Sequence, residues 1–343
     1  MRTSLAITLA LLFSHSLLAA ESEGISFDHK DWEMVCDNAH TCRAAGYGVE
    51  ENAISVLLTR EAGAGKNVSA AVVFSDFDDE TATTESVTMS IDSGAKLALK
   101  QGEDGQWILT PKQTSSLITA LIQSKPVVFY QGTKAQEISS SGVNAVLLKM
   151  DEFQGRLGTS GALMKKGSKS ESGVPPAPVL PKIVAASIFP DSKEKPFPQD
   201  KLDALWPALS QTLLNEDSCF MSGETENARK ESLRVIALDE KHSLITGACW
   251  MAAYNYGSAY WLIDSELKTA PTLIGTDFTY YGNGALLSSQ KGRGIGDCWS
   301  QDEWTWDGRE FQKSQSYTTG ACKGIRAGGT WKLYDWVTHV VKP

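Results

Sequence analysis

The chain has 343 residues, a formal net charge of −9 and five histidines. An acidic chain without basic runs has no electrostatic footprint for phosphate backbones or anionic lipid surfaces, so nucleic acid and the membrane surface are excluded as expected partners. Beyond the first twenty residues no segment approaches the roughly 20 consecutive apolar residues of a membrane helix, so no membrane span is expected.

The N-terminus reads as an export signal. Arg2 is followed by an apolar stretch from Leu5 to Leu18, interrupted by Thr8, Ser14, His15 and Ser16, and then by Ala19-Ala20. This order of basic, apolar and small residues predicts a signal peptide over 1–20 cut after Ala20, and hence a periplasmic or secreted protein. Glu21 stands where an acylated lipoprotein would need Cys, so no lipid anchor is expected.

Residues 21–165 are expected to form an N-terminal α+β domain. Short β-branched runs separated by Gly, Asn and Asp predict strands at Asp31–Cys36, Thr41–Tyr47, Ala53–Arg60, Val68–Ser75, Ser86–Ile91, Lys96–Leu99 and Trp107–Leu109. Thr110-Pro111-Lys112-Gln113 carries the cap, the first-turn proline and the capping-box glutamine of a helix whose Leu117, Ile118, Leu121 and Ile122 keep a 3.6 period. A second helix is expected over 141–154, stopped by Gly155. Strands at Val127–Tyr130 and Arg156–Thr159 complete the antiparallel sheet.

The stretch 166–198 is rich in Pro, Ser and Lys and reads as an interdomain linker, because proline lacks an amide donor and the polar portion has little apolar area to bury. Within it the apolar Lys182–Ile188 is expected to pair as an edge strand. Residues 199–343 then predict a Trp-rich, mainly-β domain, a meander or small barrel, after one helix bearing Leu202, Leu205, Leu209 and Leu213. Strands are expected at Leu233–Leu238, Ser243–Trp250, Ser258–Ile263, Ala285–Ser289, Glu303–Trp306, Glu310–Ser316 and Thr330–Tyr334. Asp307-Gly308 tolerates the positive φ of a tight hairpin turn between two of them.

Six cysteines, Cys36, Cys42, Cys219, Cys249, Cys298 and Cys322, form an even set, which in an oxidising compartment predicts a disulfide framework. Six cysteines allow 15 pairings; proximity favours Cys36–Cys42, Cys219–Cys249 and Cys298–Cys322. His40 between the first pair resembles part of a zinc set, but zinc needs a fourth ligand and reduced thiolates, so no metal is expected there. The acidic run Asp76, Asp78, Asp79, Glu80 fits no calcium-loop spacing and reads as a solvated loop. Lys291-Gly292-Arg293-Gly294-Ile295-Gly296-Asp297-Cys298 looks like an anion cradle, yet strand-like sequence rather than a helix follows it, so its glycines are expected to turn the chain around Cys298. No nucleophile, phosphate-loop or metalloprotease motif is present, and no cofactor is expected.

Several segments together resemble one family. These are Phe27-Asp28-His29-Lys30-Asp31-Trp32-Glu33 ahead of Cys36-Asp37-Asn38, then Thr41-Cys42-Arg43-Ala44-Ala45-Gly46-Tyr47, and Met150-Asp151 with Gln154-Gly155-Arg156-Leu157-Gly158-Thr159. Ala253-Tyr254-Asn255 with Tyr260-Trp261, and Gly294-Ile295-Gly296-Asp297-Cys298 ahead of Trp304 and Trp306-Asp307-Gly308, continue the pattern. The chain resembles the exported bacterial proteins grouped as domain of unknown function 1176. That resemblance implies a Gram-negative, periplasmic or secreted protein with no established activity, and so carries no catalytic residues across. The first hundred or so residues are also similar to invasion-associated locus B proteins, which implies an envelope or host-contact role.

The functional expectation is a non-catalytic binding protein of the cell envelope, with a glycan or a protein as partner. Dense aromatic residues mark the C-terminal half, and flat rings stack on sugars or anchor interfaces. The candidate ligand-binding residues are Trp304, Trp306, Trp299, Trp261, Tyr260, Arg293 and Asp297, with core filling as the competing role for the rings. An envelope hydrolase using carboxylates such as Asp297, Asp302, Glu303 or Asp307 is the alternative, and a structural adaptor joined through a sheet edge is a third.

Overall fold

A computed structural model describes residues 23–50, 52–76, 86–190, 192–213, 219 and 225–343. The expected leader and the acidic positions Asp78, Asp79 and Glu80 lie outside the described residues. The described residues are mostly β, with four α-helices and several antiparallel sheets.

In the N-terminal half, seven strands pair in the order Ile25–His29, Trp32–Cys36, Cys42–Tyr47, Ile54–Arg60, Ser69–Phe74, Trp107–Ile108 and Lys100–Gln101. A second sheet aligns Lys134–Glu137, Val127–Gln131, Val87–Ile91 and Leu97–Ala98. Helices α1 (Pro111–Ile122) and α2 (Val143–Phe153) pack with both. The capping box of α1 forms as its sequence requires, Thr110 accepting from the Gln113 amide while the Gln113 side chain accepts from the Thr110 amide. Gly142 precedes α2 at φ +102°, where a Cβ would meet the His29 carbonyl at 1.9 Å, so only glycine fits.

Side chains alternate across a strand, and here both faces of the large sheet are buried. Met34, Ile54, Val56, Leu58 and Val72 face the helices, where Leu117, Leu121, Val146, Leu147 and Met150 complete the core. Val35, Ala45, Tyr47 and Val73 face the other way and are covered by Ile325, Trp331 and Leu333 from the C-terminal half. This explains why Ser69–Phe74 reads as an unbroken apolar run: a strand buried on both faces has no solvent side to make polar.

The C-terminal half contains two five-stranded antiparallel meanders, and no closed barrel forms among the described residues. The first runs Lys195–Pro196, Arg234–Ala237, His242–Met251, Tyr256–Asp264 and Thr272–Phe278; the second runs Tyr280–Gly282, Ala285–Lys291, Trp299–Trp306, Phe311–Thr318 and Leu333–Val337. Helix α3 (Gln199–Thr212) lays Leu202, Leu205 and Leu209 against Ile245, Cys249 and Trp261 of the first meander. The two meanders share a core of Ile236, Leu244, Tyr260, Phe278, Leu286 and Trp306. A short helix, α4 (Glu226–Ser232), was not legible because it buries no residue and so has no apolar stripe.

Two further expectations need correcting. Arg156–Thr159 is a turn with one isolated bridge from Thr159 to Lys169, because the Arg156 side chain is drawn inward by Glu171 rather than standing on a pleat. The edge strand expected over Lys182–Ile188 is confined to Lys182–Val184. Lys182–Val184 pairs in parallel with His339–Val341, Ile183 is buried, and the amides of Ala186 and Phe189 donate to the carbonyls of Trp306 and Leu238. Neighbouring strands therefore supply the partners that a proline-rich stretch cannot provide for itself.

Candidate functional site

All three disulfides join sequence neighbours: Cys36–Cys42, Cys219–Cys249 and Cys298–Cys322. The first spans directly paired positions of a hairpin, and the Asp37 carboxylate inside its loop accepts from the amides of Ala39 and Thr41 and from Arg43. Asp297, Cys298 and Cys322 place possible ligand atoms within 4.8 Å of one another. The two sulfurs are bonded to each other, which removes the thiolates a metal would need.

The two halves meet along a seam, and a cleft of about 510 Å3 opens on it. Its N-terminal wall is Leu57, Asp104 and Gln106; its C-terminal wall is built from Trp299 and Gln301 on one strand, Tyr317 on the next, and the loop 326–332. The seam is fixed by long-range polar contacts. The Trp331 indole donates to Ser55 Oγ at 2.8 Å, Arg326 donates to the carbonyls of Asp104 and Gly105, and the Ala321 amide donates to Glu33 at 2.7 Å. Gly329, at φ +103°, lets the loop 326–332 pass over Thr319, whose Cβ would lie 2.2 Å from any added side chain.

Inside the cleft, Trp299 is half-buried and its indole donates to the Gly296 carbonyl at 2.8 Å, with the Lys291 ammonium 5.3 Å from the ring centre. Tyr317 donates to Gln301 and lies under Lys332, 5.2 Å from the ring centre. Burial pushes the Tyr317 phenol up, only partly opposed by Lys332, so it stays a neutral donor. Burial works against the charge of Arg326, and Asp76 and Asp104 oppose that effect. The Thr330 hydroxyl is buried without a partner on the same wall. The surface therefore combines aromatic rings, amides and cations, with Asp104 as the single carboxylate among its described lining residues.

Of the residues expected from sequence to bind a ligand, only Trp299 lines this cleft. Trp306 is 1% exposed, donates to Asp239 and packs against Phe311 and His242. Trp304 meets Phe278 edge-on at 4.9 Å; Tyr260 packs on the same ring. Trp261 sits under α3 and donates to Thr212. Trp306 and Tyr260 fill the core shared by the meanders with Trp304 half-buried against it, while Trp261, on the opposite face of its strand from Tyr260, fills the core under α3. Asp297 is wholly buried, accepting from Arg293 through both oxygens and from the Gly324 amide at 2.7 Å; Arg293 lends it a partner beside the Cys298–Cys322 bridge. Both are structural clamps.

The carboxylates of the hydrolase alternative are also occupied. Asp302 pairs with Lys313 at 2.9 Å, Glu303 accepts from Ser314, and Asp307 caps its own hairpin turn through the amides of Arg309 and Glu310. The bond from Arg293 holds Asp297 below the usual carboxylate range; at Asp307 burial pulls upward, and the turn amides and Gln312 outweigh it. Neither can be a proton donor near neutral pH. Sequence reasoning missed Tyr317, Gln301, Arg326, Trp331 and Gln106, which carry no local signal of a shared surface.

The class defined so far is a disulfide-bonded, mainly-β protein with a polar, aromatic-walled cleft along its seam. The chain belongs to the family described as protein of unknown function (DUF1176), whose model matches residues 26–339. It is 26% identical over 336 residues to the uncharacterized protein YpfG of Escherichia coli (strain K12), a match covering 90% of this chain and 92% of that protein. No solved structure matches it. No helix among the described residues is long and apolar enough to cross a membrane. The three disulfides fit an exported protein.

Proposed function

We propose that this is an exported binding protein of the cell envelope, and that its seam cleft takes an envelope glycan without turning it over. The observation that carries the reading is the composition of the cleft: Trp299 and Tyr317 supply flat apolar faces while Gln106, Gln301, Arg326 and Lys332 supply the directed donors that sugar hydroxyls require. Glycoside hydrolysis needs two carboxyl groups about 5–9.5 Å apart. With Asp104 alone on the walls, the binding reading is favoured over the hydrolase. The signal peptide expected over 1–20 and the resemblance read in the first hundred residues to invasion-associated locus B proteins support the envelope as its place of work.

The test is calorimetric titration of the oxidised mature protein with soluble envelope glycan fragments, repeated on Trp299→Ala and Gln301→Ala. Saturable binding weakened about tenfold by either variant, with melting unchanged, supports the cleft; a stacked ring or a neutral hydrogen bond accounts for a loss of that order. Binding that survives both substitutions places the ligand elsewhere.

A further inference from the structure

A second cavity, of about 460 Å3, lies in the N-terminal half between α1, the loop 65–68 and the turn 156–171, and shares no lining residue with the seam cleft. One wall is apolar, with Val68, Ile118, Ile122 and Leu163. The other is polar and unusually buried. Arg60, 1% exposed, donates to Gln154, Gly161 and Asp151, so every branch of its guanidinium is committed. Arg156, also 1% exposed, donates through its two terminal nitrogens to Glu171 and Gly63.

Two atoms on these walls are left over. Among the described residues Arg156 Nε has no hydrogen-bond partner, and neither has the hydroxyl of Thr114, a residue 2% exposed on α1. A threonine within a helix ordinarily returns its hydroxyl to a carbonyl of the preceding turn, and Thr114 does not. Leaving a buried donor unmade costs about 1–3 kcal/mol, so a ligand atom that reached either position would gain a hydrogen bond that no described protein group supplies. At the mouth stand Lys66, paired with the exposed Glu61, and Lys166, which has no ion pair among the described residues.

We propose that this cavity binds a small monocarboxylate with an apolar body, of the size of a medium-chain fatty acid. Two unfilled donors, one charged and one neutral, match the two oxygens of one carboxylate. The apolar wall takes the chain, and Lys166 supplies the surplus positive charge. Glu171, committed to Arg156 on the same wall, disfavours a dianion such as a phosphate monoester, because a second negative charge would face its carboxylate in a water-poor site. This site is independent of the glycan reading.

The experiment is calorimetric titration of the oxidised full-length protein with octanoate, octanol and acetate below the micelle range. The expected result is one saturable site for octanoate, bound at least about tenfold more tightly than either control, since each lacks one half of the recognition. Thr114→Val, which keeps the shape and removes the hydroxyl, weakens octanoate about fivefold without lowering the melting temperature. Ser115→Trp, at an exposed position on the cavity rim, abolishes binding and leaves the fold intact. No saturable octanoate binding, equal affinity for octanol, or binding unaffected by Ser115→Trp would each overturn the proposal.

Discussion

Asp151 is wholly buried and faces Arg60, 1% exposed, at 2.8 Å, while its second oxygen accepts the amides of Leu163 and Met164 at 2.8 and 2.9 Å. Asp151→Asn keeps the volume, removes the charge and replaces one acceptor by an NH2 group. Whichever way the new amide turns, it sets donor against donor, either at the guanidinium or at the two backbone amides. A buried ion pair broken on one side costs about 3–5 kcal/mol, and the retained shape places this case near the lower end. At about 2–4 °C per kcal/mol for a chain somewhat smaller than this one, the melting temperature should fall by about 5–10 °C. Urea unfolding followed by fluorescence should show a lowered midpoint with an unchanged slope. Arg60→Met with Asp151→Asn should be less destabilised than the sum of the two singles, because the carboxamide oxygen is then free to face the amides. A loss below about 1 kcal/mol for Asp151→Asn, or strict additivity in the double variant, would refute the argument that this pair anchors α2 to the sheet.

Trp306→Ala should cost about 3–5 kcal/mol in denaturant unfolding, as expected for a fully buried indole, which separates it from the cleft residue Trp299, whose loss should leave melting unchanged. Replacing Cys298 and Cys322 together by Ala removes a bridge of sequence separation 24 and should lower stability by about 2–4 kcal/mol under oxidising conditions, with the difference from the wild type vanishing once that bridge is reduced. Asp297 has its pKa lowered in the folded protein, chiefly by Arg293. Its stabilisation is therefore complete above the unfolded carboxylate value of about 3.9 and is lost as pH falls through the folded value. The melting temperatures of wild type and Asp297→Asn, measured from pH 7 downward, should differ most above pH 4 and converge below it; a constant gap would contradict the assignment.

Local chemistry made much of this protein legible. The capping box at Thr110–Gln113, the leucine spacing of α3, the Asp307-Gly308 hairpin and the β-branched runs each act within a few residues, so their signals survive in the sequence. The nearest-neighbour disulfides follow from the same locality, because a hairpin brings Cys36 opposite Cys42 whatever the rest of the chain does. The role of the aromatic residues was not legible. Whether a tryptophan on a strand faces a cleft or a core depends on what covers that face, and for Trp306 the cover is Phe311 and His242, while for Trp299 it is a seam closed by loop 326–332. The pairs that build the seam, Trp331 with Ser55 and Arg326 with Asp104, are separated by 276 and 222 residues. No periodicity or spacing records a contact at that range. The sequence by itself determined most of the elements and the family and favoured the sulfur pairs that form; the tertiary structure alone decided which faces of the large sheet are shared between the halves, and therefore where the cavities lie.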